Sequence, residues 1–81
     1  MNEKEAFQIL LGQNVRRIRT DRNYTVEDLG FKSGLGYSQV SRIELGKRNP
    51  TAYTLNMLSK ALEVCPSEFF KTEPADVIRA K

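Results

Sequence analysis

Gly34 and Gly36 leave a single residue, Leu35, between two short amphipathic segments, and nothing else restricts the fold of this chain as much as that junction. Before it, Thr25 reads as a helix N-cap, with Asp28 three residues on as the carboxylate of a shortened capping box. A helix is therefore predicted over 26–33, ending where Gly34 can take the left-handed conformation. A second helix is predicted to begin within 36–38 and run to 45, with Gly46 as its stop. Two helices reversing over so tight a turn have helix-turn-helix spacing. They must cross closely, which asks for a small residue at the crossing, and Gly30 supplies it. Leu29, Val40 and Ile43 fall on the inward side and lock the pair to a core. Tyr37, Ser38, Ser41 and Arg42 then project outward from the second helix. A protruding polar helix of that kind fits the DNA major groove.

The flanking sequence supplies the rest of an all-α domain. Phe7, Leu11, Val15 and Ile18 recur at helical spacing, so the first helix is predicted over 3–22 with this stripe buried. Lys47-Arg48-Asn49-Pro50 reads as a basic loop. A fourth helix is expected over 51–62, burying Leu55, Leu58 and Leu62. Cys65-Pro66 opens a short fifth helix with proline at its tolerated first position, and Phe69 and Phe70 close the core. Residues 1–70 make one small domain. Residues 71–81, with weak periodicity at Val77 and Ile78, are either a frayed tail or an edge helix.

Composition narrows the function. With no histidine and one cysteine, no metal site of the nitrogen and sulfur type can be assembled, and no cofactor is expected. No phosphate-cradling loop or nucleophile motif appears, so no catalytic residues are assigned. No stretch is long and apolar enough to cross a membrane, the N-terminus lacks the pattern of a secretory signal, and a lone Cys65 suits a reducing cytoplasm. Net charge is only +3, but it is unevenly placed. Residues 16–48 carry Arg16, Arg17, Arg19, Arg22, Lys32, Arg42, Lys47 and Arg48 against Asp21, Glu27, Asp28 and Glu44. That stripe is either the footprint of a polyanion partner or an ordinary solvated helix face.

The run Arg42-Ile43-Glu44-Leu45-Gly46-Lys47-Arg48-Asn49-Pro50, with Leu11-Gly12, Val15-Arg16, Ile18-Arg19, Thr25 through Gly30, Ser33-Gly34-Leu35 and Glu68-Phe69-Phe70, resembles the Xre/Cro-type helix-turn-helix family over residues 11–70. That family contains bacterial and phage DNA-binding regulators, among them the controller proteins of restriction–modification systems. The resemblance implies a compact, five-helix, lambda-repressor-like domain without catalytic activity, binding a double-stranded DNA operator as a homodimer.

It also implies residue roles. Tyr37, Ser38, Ser41 and Arg42 occupy base-reading positions, Arg42 being suited to guanine because its planar fork matches O6 and N7. Arg42 could instead meet phosphate only, and Tyr37 could stack on a base or merely cover the turn. DNA-backbone contacts are expected from Thr25 and Val26 at the start of the second helix, from Arg22, Gln39, and from Lys47, Arg48 and Asn49. Arg19 and Glu44 match an ion pair that pins the recognition helix to the first helix. Three residues depart from the family pattern: Val26 stands where glutamine is usual, Gly30 replaces alanine, and Gly36 replaces a polar cap. The last two suggest a recognition helix with a softer start.

Other readings keep different consequences. An antitoxin of the same fold would neutralise a protein toxin and use DNA binding for autoregulation. A small enzyme would need chemistry the residues do not supply, and a pure interaction bundle would not be retained on DNA. A redox role for Cys65 lacks a resolving partner. Dimerisation is expected through the last two helices and the tail, with Tyr53, Met57, Val64, Phe70 and Val77 as candidates.

Overall fold

The computed structural model describes residues 1–72, and every regular element among them is helical. The elements are α1 (Glu3–Asp21), α2 (Val26–Ser33), α3 (Tyr37–Glu44), α4 (Ala52–Leu62) and a 3-10 turn at Pro66–Phe70. The expected fifth helix is therefore corrected to a single 3-10 segment. Its physical reason is length: only five residues separate Cys65 from Lys71, both of which are extended. Asn14 then takes over the exit, its side-chain amide donating to the carbonyls of Phe69 and Lys71 at 2.8 Å each. The predicted tail, including Val77 and Ile78, lies outside the described residues from 73 onward.

Caps define each helix. Asn2 caps α1 through a reciprocal box with Glu5, and Thr51 caps α4 by accepting from the Thr54 N–H. At α2 the Asp28 N–H donates to the Thr25 hydroxyl at 3.0 Å, and the Thr25 N–H donates to the Asp28 carboxylate at 2.9 Å. The Thr25 backbone N–H first, and the Thr25 hydroxyl after it, hydrogen-bond the Asp28 carboxylate and hold it below its ordinary range. A depressed folded-state value means that the cap's stabilisation is fully present above the usual carboxylate range and is lost as pH falls below that range, through the lowered folded-state value. Thermal melts between about pH 3 and about pH 6 should therefore show a steeper acid loss for the wild type than for Asp28→Asn, which cannot titrate. Parallel acid limbs would count against a role for the ionised carboxylate.

The core lies where α1, α2 and α4 meet α3 and the 3-10 turn. Val15, Leu29, Val40, Leu58, Leu62 and Phe69 are fully buried, with Leu11, Ile18, Ile43 and Leu55 close behind. Helix α1 packs on α3 and on the 3-10 turn, and α2 packs on α3 and α4. Two expected core residues are corrected. Phe7 and Phe70 are 41% and 45% exposed and stack on each other, ring centroids 5.8 Å apart, at the rim of the domain. Phe7 lies a full turn before Leu11, at the edge of what the described elements cover, and it stacks on Phe70 there.

Candidate nucleic-acid interface

Helix α3 is short, and its two sides differ sharply. Val40 and Ile43 are buried, while Tyr37, Ser38 and Arg42 are exposed and Ser41 is half-buried beside them. Positions 37, 38, 41 and 42 share one face by helical spacing, with Gln39 on its flank and exposed. Gly36 stands at the N-cap and offers no side-chain oxygen to the first turn. The other end is closed more firmly. The Gly46 N–H donates to the Ile43 carbonyl at 3.0 Å and the Lys47 N–H to the Arg42 carbonyl at 2.9 Å. That is a Schellman closure, and it needs the left-handed Gly46, whose φ is +77°. It delivers Lys47, Arg48 and Asn49, all exposed, directly beyond the end that carries Arg42.

The turn before α3 works the same way. Gly34 is left-handed at φ +79°, its N–H donates to the Phe31 carbonyl, and the Gly36 N–H reaches the Gly30 carbonyl at 3.0 Å. At Gly30 an added Cβ would lie 2.7 Å from the Gly36 carbonyl carbon and 2.8 Å from the Tyr37 nitrogen. The crossing expected at Gly30 is therefore a backbone-to-backbone contact.

Arg19 and Glu44 form a bidentate pair, Nε to Oε2 at 2.6 Å and Nη2 to Oε1 at 3.0 Å, with both side chains largely buried. The remaining guanidinium nitrogen, Nη1, donates to the Tyr24 carbonyl at 2.7 Å. One arginine thus ties α1, the α1–α2 loop and the last residue of α3 together. Such a pair is worth little against an apolar substitute but costs heavily when half of it is removed.

The basic stripe divides in two. Arg19 is in the buried pair, Arg22 donates to the Glu63 carbonyl at 3.2 Å, Lys32 sits 5.0 Å over the Tyr24 ring, and Arg17 leans on Asn14 at 3.4 Å. Among the described residues, Arg16, Arg42, Lys47 and Arg48 take part in no ion pair. Arg22 is thus turned toward the end of α4, where Glu63 occupies a left-handed cap. At the start of α2, Thr25 is exposed with its hydroxyl committed to the cap. Val26 is half-buried against the core, so its contribution outward is its N–H, which has no intrahelical acceptor.

Several features escaped sequence reasoning. Phe31 is 89% exposed on α2 and shares an open apolar groove with Gly34 and Tyr37. Its position two residues from Leu29, on the opposite side of the helix, was the available signal. Leu45 is also exposed, at the C-cap of α3. Asn14 is buried, as its place on the α1 stripe between Leu11 and Ile18 could have indicated. Of the dimer candidates, Tyr53 and Phe70 are exposed, whereas Met57 and Val64 are half-buried and Val64 packs on the core. Cys65 is exposed, and the Ser67 hydroxyl donating to its sulfur at 3.3 Å lowers the thiol from its ordinary value. Among the described residues, no helix is long and apolar enough to cross a membrane, and no group of His, Cys, Asp and Glu could hold a metal ion.

This arrangement has counterparts among known proteins. The helix-turn-helix family HTH_3 matches residues 15–70. The uncharacterized HTH-type transcriptional regulator y4dJ of Sinorhizobium fredii is 40% identical over 55 residues, 68% of this chain and 71% of its own length. The restriction-modification controller protein C.AhdI from Aeromonas hydrophila superposes with a TM-score of 0.81 at 35% identity, over 85% of this chain and all of that one. The controller protein C.Esp1396I, solved as a tetramer with its natural 35 base-pair operator, superposes with a TM-score of 0.73 at 32% identity, covering 90% of this chain and 91% of its own.

Proposed function

The chain belongs to the HTH_3 helix-turn-helix family, and from that premise we propose that it binds double-stranded operator DNA as a homodimer and regulates transcription, with α3 in the major groove. One observation carries this reading. The outer face of α3 presents Tyr37, Ser38, Ser41 and Arg42 opposite a buried face, and it runs straight into the 47–48 loop, whose cations are in no ion pair among the described residues. A helix so arranged puts base-reading groups in the groove while the loop lies along the phosphates. The operator-bound C.Esp1396I tetramer, aligned over nine-tenths of this chain, supports the same use of the fold.

Within that reading, residues 1–70 are the DNA-binding unit. Arg42 donates bidentately to a guanine, and Tyr37, Ser38 and Ser41 read its neighbours. Phosphates are held by Lys47, Arg48 and Asn49, by the backbone at Thr25 and Val26, and by Gln39 at the groove edge. Arg22 joins them only by releasing Glu63.

A single recognition helix brings about 3–4 side chains to the bases, too few for tight specific binding by a monomer. Two copies with their recognition helices roughly 34 Å apart, one DNA turn, meet that need. Of the residues expected to join them, Tyr53 and Phe70 are exposed. Selection of bound sequences from a random DNA pool should return a two-fold symmetric site with half-sites about one turn apart, and sedimentation should give two chains per site. A chain that remains monomeric on its best sequence overturns the dimer, and a pool that shows no enrichment overturns the readout.

A further inference from the structure

Gly12 and Gly30 both sit inside helices, where glycine is the poorest residue after proline and needs a packing reason. Each has one, and both reasons concern α3. A Cβ on Gly12 would run into the Ile43 carbonyl oxygen and lie 2.7 Å from that of Glu44, at the C-terminal end of α3. A Cβ on Gly30 would meet the backbone of Gly36 and Tyr37, at its N-terminal end. Both glycines are buried on the scaffold side, away from the exposed face of α3. Further contacts reinforce the first seat: the Gln8 side chain donates to the Gly46 carbonyl at 3.1 Å, and Arg19 grips Glu44.

We propose that Gly12 and Gly30 are positioning residues for DNA sequence preference, each setting the height of one end of the recognition helix over the bases without touching DNA. This rests on the reading of α3 as the recognition helix. An eight-residue helix is about 12 Å long, so raising one end by several tenths of an ångström tilts it. Ordinary contact begins at 3.4 Å, and both added methyl groups would need at least that much displacement. Bidentate bonds to base edges depend on distance and direction and weaken steeply when misaligned. Lifting the Gly12 end displaces Arg42. Lifting the Gly30 end displaces Tyr37 and Ser38.

The test compares base-preference profiles, obtained by selection from a random DNA pool, for the wild type and for Gly12→Ala, Gly30→Ala and Leu62→Ala. Profiles of Arg42→Ala and Ser38→Ala mark which operator positions each end reads. Leu62 is buried on α4, which packs on α2 and the 3-10 turn, so its loss lowers stability without moving a seat of α3. Gly12→Ala should lose about tenfold preference at the Arg42 positions and Gly30→Ala about tenfold at the Ser38 positions. Leu62→Ala should keep the wild-type profile while binding weakens in step with its folded fraction. The overlap a methyl would make at 30 is smaller than the one at 12, so Gly30→Ala decides alone if Gly12→Ala does not fold. Glycine variants that keep the wild-type profile, or lose preference evenly at every position, overturn the two-seat proposal. A wild type without preference at any position overturns the groove reading itself.

Discussion

Replacing Arg42 with alanine should cost about 1–3 kcal/mol per half-site on the selected operator and relax preference at one base pair in each half. On a two-fold site the loss doubles, which makes it the largest single-residue effect on binding expected here. The side chain is exposed on α3, one turn after Ser38, and is in no ion pair among the described residues. It therefore gives up no ion pair with the described residues when it reaches a base, and its removal strands no charge among them. Lys47→Ala should behave differently. It removes a cation from a loop that the Schellman closure sets beyond the helix end, so matched and random DNA should weaken almost equally. The slope of log affinity against log salt should become shallower by about one for each phosphate that is no longer neutralised. Titrating both variants against matched and single-base-changed duplexes at several salt concentrations separates the two roles. An Arg42→Ala loss that is equal on every sequence places that arginine on phosphate and leaves Tyr37 and Ser38 as the readers.

What the chain discloses before folding is what local chemistry controls. Thr25 with Asp28, Thr51, Gly34 and Gly46 act within a turn of their own position, so the bounds of α2, α3 and α4 follow from them to within a residue or two. The outer face of α3 was legible for the same reason, since Val40 and Ile43 fix which side turns inward. Effects that need a neighbour were not legible. Phe7 continues the α1 stripe as well as Leu11 does, yet it stands 41% exposed at the rim, stacked on Phe70. Arg22 and Arg48 are alike as letters, yet one is drawn to the Glu63 carbonyl across a distance in sequence that no pattern encodes. Gly12 shows the limit most clearly. Its value lies in the carbonyls of α3 that press on it, not in any preference of its own helix.

Removing one half of the Arg19–Glu44 pair should be the costliest change to stability. Glu44→Ala leaves a guanidinium that is largely buried with only the Tyr24 carbonyl to hold, and breaking a buried pair on one side typically costs about 3–5 kcal/mol. For a chain of this size total stability is only about 4–12 kcal/mol, and each kcal/mol moves the melting temperature by about 4–8 °C. A drop of about 12 °C or more is therefore expected. Glu44→Gln, which keeps an acceptor in place, should lose much less. Arg19→Ala should also be severe, because it strands the Glu44 carboxylate and frees the Tyr24 carbonyl at once. The double variant should then be much less unstable than the two losses added together, since neither partner is left stranded, and a coupling of about 1–3 kcal/mol is expected from a double-mutant cycle. DNA affinity of the folded fraction should fall along with stability in Glu44→Ala, because the same bonds anchor the last residue of α3 to α1. Additive losses would mean that the two charges act independently in solution. A stability loss with unchanged affinity of the folded fraction would mean that the pair holds the domain together without steadying the helix that reads.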